Sequence, residues 1–135
     1  MSLQEFLNSN PVDNLTAEVP VSKRFTDKEG NLMLFKIKPM TEREHNELSK
    51  KCTTIKSRGK TEFDTRKFNS SMVIENTVYP DFKDAESIKA VEVSTPEQYL
   101  GKVLLSGEIA KLVEEIMKLS GFDTSMEELV EEAKN

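Results

Sequence analysis

The stretch YLGKVLLSGEIAKLVEEIMKLSGF, Tyr99 to Phe122, carries the densest helical periodicity of the chain and limits what the rest can be. Ile109, Leu112, Val113, Ile116 and Leu119 recur at three-and-four spacing, which puts them on one face of an α-helix. Glu108, Lys111, Glu114, Glu115 and Lys118 fill the other face, with Glu114 and Lys118 in the favourable i, i+4 order. Ser106 stands where its hydroxyl would cap the first turn, and Gly121 stands where a left-handed residue ends a helix. The spacing therefore predicts a helix over 107–120, and other elements must cover its apolar stripe.

Those elements can be read in chain order. Residues 1–18 mix Asn, Ser, Pro and Asp with scattered apolar positions, enough for a helical turn or two, and read as an arm that a partner would have to hold. Val19, Val21 and Phe25, the turn residues TDKEGN, and then Leu32, Leu34, Phe35 and Ile37 read as a β-hairpin over 19–38, with Gly30 at positive φ. Thr41 and Glu44 form a capping box opening a helix over about 42–54, with His45, Leu48, Cys52 and Ile55 on one side. A polar loop follows. Asp64 or Thr65 opens a helix over 65–79 on which Phe68, Met72 and Tyr79 share a face, although Val73, Ile74 and Val78 would also suit a strand. Asp84 caps a short helix over 85–91, Thr95-Pro96-Glu97 starts one over 96–105, and Thr124 or Ser125 starts the last over 125–133. Phe122 is expected to tuck back on the preceding helix. The expectation is an α+β fold: a single, mainly α-helical small domain over 19–135 with an N-terminal β-hairpin.

Composition narrows the function classes. No apolar stretch approaches the length that spans a bilayer, and the N-terminus lacks the pattern of a secretory signal. The single cysteine excludes an internal disulfide and suits a reducing compartment. Net charge is −5 but uneven, because residues 1–67 hold 13 Lys and Arg against 10 acids while residues 68–135 hold 6 against 14. Such a polar molecule is suited to charged partners or to self-association.

Catalytic chemistry finds no support. His45 is the only histidine, no HExxH, CxxC or Ca-loop spacing occurs, and neither a GxGxxG nor a P-loop pattern is present. His45 reads as a solvated or half-buried helical side chain, and Cys52 as a small core hydrophobe. The paired acids Glu127, Glu128, Glu131 and Glu132 read as a solvated outer face. No enzyme activity, metal or cofactor is expected. The basic run Lys50, Lys51, Lys56, Arg58, Lys60, Arg66 and Lys67 is the nucleic-acid candidate, but it lacks interleaved aromatics and sits in an acidic chain. A regulator that binds nucleic acid through it is therefore the alternative reading.

The run Leu100 to Phe122, with Ser106-Gly107-Glu108, then Leu112, Ile116 and Leu119-Ser120-Gly121-Phe122, resembles the XkdN-like family of phage tail assembly chaperones. Val78 to Glu86 (VYPDFKDAE) is similar to that family's segment joining two helices, Thr95-Pro96-Glu97 to its next helix start, and Lys36 to Thr41 (KIKPMT) to its end of the hairpin. The resemblance covers most of Val21 to Asn135. It departs at Ser106, where the family usually has Pro, which changes the cap rather than the fold.

The resemblance implies a non-catalytic protein of a phage or prophage-like element of a Gram-positive bacterium. It would act in the host cytoplasm and be absent from the finished tail. Its implied partners are the tape measure protein, coated before the tail tube forms, and the tail tube protein that displaces it. A bare tape measure exposes apolar helical stripes, and many weak contacts along it would hold it soluble. Tyr99, Leu104, Leu105, Ile109, Leu112 and Ile116 are the expected contact residues. A stable structural connector of the tail is the other alternative.

Overall fold

The computed structural model describes residues 2–9, 12–122 and 126–134, without the side chains of Asp13, Met126 and Glu127. The caps expected at Thr124 or Ser125 lie outside the described residues. Among those described are seven helices, α1 Leu3–Ser9, α2 Glu42–Lys51, α3 Thr65–Asn76, α4 Ala85–Ala90, α5 Pro96–Val103, α6 Ser106–Met117 and α7 Met126–Lys134. Five short strands accompany them, β1 Ala17–Val19, β2 Phe35–Ile37, β3 Thr53–Ile55, β4 Thr61–Phe63 and β5 Thr77–Tyr79. The fold is a small α+β domain.

β2 is the middle strand of an antiparallel sheet ordered β1-β2-β5, and its alternation explains that place. Phe35 and Ile37 point into the core while Lys36 stays exposed. Ala17 pairs with Ile37 and Val19 with Phe35, so the N-terminal hairpin forms two residues earlier than expected. At its far end Asp27 Oδ1 accepts from the amides of Glu29 and Asn31, and Gly30 takes φ 88°.

The core gathers Phe35 and Ile37 of β2, Met72 to Ile74 of α3, Phe82, Leu100 of α5, and Leu112 and Ile116 of α6. α3 packs against both α5 and α6, so three consecutive residues are covered and its helical period is blurred. That blurring produced the strand ambiguity, and the chain resolves it by using both states. α3 stops at Asn76, and the β-branched and aromatic Thr77-Val78-Tyr79 pair with β2 rather than extending the helix to 79. Tyr79 accordingly leaves the Phe68–Met72 face and stands 68% exposed. Likewise α2 ends at Lys51 rather than 54, because Thr53, Thr54 and Ile55 form β3 and pair with β4 across Gly59.

Caps hold the helix starts as the residue types dictate: Thr41 with Glu44, Asp64, Asp84 and Thr95 each accept a first-turn amide. α6 departs from expectation. Its N-cap is Leu105 rather than Ser106, and the Leu105 amide donates to the Glu108 carboxylate at 2.7 Å. After Met117 the helix widens into a π-type turn, Lys118–Phe122, closed by Gly121 at φ 101°. Phe122, 66% exposed, leans toward His45 of α2, ring centroids 6.2 Å apart. The segment expected as an arm contains α1, whose Leu3, Phe6 and Leu7 are exposed.

Two side chains tie the β2–α2 connection to the core. Asn76 Nδ2 donates to the carbonyls of Lys38 and Pro39, and Ser120 Oγ accepts the Met40 amide. Replacing Asn76, 3% exposed, by Ala should lower the unfolding free energy by about 1–2 kcal/mol in urea titration, since buried carbonyls lose their donor.

Candidate functional site

An apolar groove of about 250 Å³ opens between the end of the N-terminal hairpin and α5. Met33, Leu34 and Tyr79 form its exposed rim, half-buried Phe25, Tyr99 and Val103 its walls, and Phe35 and Phe82 part of its floor. The Phe25 and Phe35 rings lie 5.1 Å apart, and Tyr99 lies 6.1 Å from Phe82, so the aromatic lining is continuous. Its lining is mostly apolar and aromatic, with Tyr79 and Tyr99 among the lining residues.

An ion pair anchors one wall. Arg24 Nε and Nη2 donate to both carboxylate oxygens of Glu108 at 2.8 and 2.7 Å, and Nη2 also donates to the Val103 carbonyl at 2.7 Å. The guanidinium carbon sits 4.5 Å from the Phe25 ring centroid, a cation–π contact. Glu108 is 4% exposed, which corrects its expected place on the solvent face of the helix. The Arg24 hydrogen bond holds its carboxyl below the usual range against the opposing effect of burial, helped by the Leu105 amide and the Ser22 hydroxyl.

The six expected contact residues separate. Leu112 and Ile116 are fully buried against the rest of the core and offer no surface for a partner, whereas Leu104, 7% exposed, lines the groove beside Tyr99. The stripe that defines α6 faces inward because α3 covers it. Tyr99 lies in the groove, Ile109 is half-buried, and Leu105 is 61% exposed at the α5–α6 junction. Met33, Leu34 and Tyr79 were missed by sequence reasoning. The signal for two of them was the unbroken apolar run Leu32 to Phe35, more than an alternating strand needs.

The other candidates remain outside the groove. His45 is half-buried against Phe68, ring centroids 5.6 Å apart in an edge arrangement, and Cys52 is buried, where desolvation pushes its thiol pKa up. Among the described residues no three His, Cys, Asp or Glu side chains converge as a metal site, and no helix is long and apolar enough to cross a membrane. Lys50, Lys51, Lys56, Arg58, Lys60, Arg66 and Lys67 are all exposed around the β3–β4 ribbon.

The profile of the family described as phage XkdN-like tail assembly chaperone protein matches residues 3–134. The chain is 36% identical to the phage-like element PBSX protein XkdN of Bacillus subtilis strain 168 over 138 aligned residues, covering 98% of this chain and 93% of that protein. It is 38% identical to protein YqbN of the same strain over the same coverage. The crystal structure of YqbN superposes with a TM-score of 0.72 at 35% identity, over 91% of this chain and 98% of the other.

Proposed function

Because the chain belongs to the XkdN-like phage tail assembly chaperone family, we propose that it binds the tape measure protein through the groove around Tyr99 and keeps it soluble until tail tube subunits displace it. The observation that carries this reading is the groove itself. Met33 and Tyr79, 49% and 68% exposed, are large apolar groups left at the surface beside an aromatic-lined recess. A recess of this size takes the apolar side chains of an amphipathic helix, and Met adapts to their varied shapes.

The rest of the reading follows from repetition. One groove contact is weak, but many copies along a long helical partner together keep it covered, and each can be removed singly. Leu104 and Tyr99 line the groove, Leu105 and Ile109 extend the contact toward α6, and Leu112 and Ile116 support it from the core. The protein acts without catalysis, in the host cytoplasm, and leaves before the tail is finished.

The test is a pull-down of the co-expressed long, helix-rich protein of the same gene cluster with Met33→Asp, Tyr79→Asp and Leu105→Asp variants. Each should stay folded by circular dichroism, and the first two should lose about 10- to 100-fold in capture, the range of an interface anchor. Capture by both at the wild-type level would remove the groove from the account.

A further inference from the structure

The β3–β4 ribbon is a different surface from the groove. Its two strands pair Thr53 with Phe63, Thr54 with Glu62 and Ile55 with Thr61, and all six residues are exposed. A two-stranded ribbon alone is marginal in water, and here Phe63 anchors it on Phe68 of α3. Residues 50–67 hold seven Lys and Arg against two acids, a net of +5, so the remainder of the chain carries −10. Among the described residues only Lys56 of the seven forms an ion pair, with Glu62. The cations stand at the base and tip of the ribbon, with Arg58 and Gly59 both at positive φ where the tip turns.

We propose that this ribbon binds the phosphate backbone of double-stranded nucleic acid, a function separate from tape measure binding. Its chemistry favours that occupant over a protein. The surface offers seven cations and the hydroxyls of Thr54 and Thr61, while its apolar groups are Ile55 and a half-exposed Phe63 that leans on Phe68 with ring centroids 5.3 Å apart. Nucleic-acid interfaces are polar and positive in this way. A two-stranded ribbon also fits the width of a B-form major groove. The acidic remainder is repelled by phosphate and confines contact to the ribbon, so binding is weak and indifferent to sequence.

Fluorescence anisotropy with a short labelled duplex of random sequence tests this on the full chain. With about four phosphates neutralised, affinity should fall roughly 100-fold between 50 and 200 mM salt. The combined variant Lys56→Glu, Arg58→Glu, Lys60→Glu should abolish binding, Lys89→Glu should not, and both should keep the wild-type thermal midpoint and tape measure capture. No binding at low salt, or binding that survives the triple change, overturns the proposal. So does salt-sensitive self-association, or binding of an acidic peptide in place of the duplex, lost in the same variant; either would assign the ribbon to an acidic protein surface.

Discussion

Replacing Leu112 by Ala is expected to lower the unfolding free energy by about 3 kcal/mol, the usual outcome when a large aliphatic side chain is removed from a closed core. Leu112 is fully buried where α6 packs on α3, and its neighbour along the stripe, Ile116, is equally covered. Urea titration should show an earlier midpoint with an unchanged slope, since the folded and unfolded surfaces stay alike. Leu105→Ala is the matched control. At 61% exposure Leu105 should cost less than about 0.5 kcal/mol while weakening capture of the long partner. The opposite pattern, a neutral Leu112→Ala and an unfolded Leu105→Ala, would place the contact surface where the core is drawn.

Glu108→Ala is expected to cost about 2 kcal/mol, because the side chain both caps α6 through the Leu105 amide and receives two Arg24 hydrogen bonds. The freed guanidinium, partly exposed already, can hydrate. Arg24→Ala should also destabilise, since it leaves a buried carboxylate without its cation. The pH dependence has a definite sign. The Glu108 carboxyl lies below its ordinary value of 4.5 in the folded chain, so the unfolded chain takes up that proton more readily. The pair's contribution is therefore complete above about pH 4.5 and lost as pH falls through the lower, folded value. The stability gap between wild type and Glu108→Gln should be widest near neutrality and should close in acid. A gap that stays constant down to the acid limb would show that the ion pair contributes nothing.

Local signals were legible where one residue type answers one backbone need. Thr41, Asp64, Asp84 and Thr95 cap as their side chains require, and Gly30 and Gly121 take positive φ where turns or helix ends demand it. Boundaries failed where tertiary pairing overrode local pattern. Thr53–Ile55 left the predicted helix to pair with Thr61–Phe63 across a local turn, and Thr77–Tyr79 left theirs to pair with β2, distant in sequence, because β-branched and aromatic residues found strand partners. Glu108 illustrates the same limit. Period placed it outward, but Arg24, 84 residues earlier, neutralises it inside. The candidate site was hidden for a related reason. Strong periodicity marks faces that must be buried, so the α6 stripe pointed to the core, while Met33, Leu34 and Tyr79 come together only after the sheet forms.

The reading of the chain as a coat for a long helical partner is tested most directly by co-expressing it with the long, helix-rich protein of its gene cluster. Size exclusion with light scattering then gives the mass of whatever elutes. The account predicts one soluble complex containing several copies of this chain per partner. A long protein that remains insoluble while this chain elutes alone would contradict it.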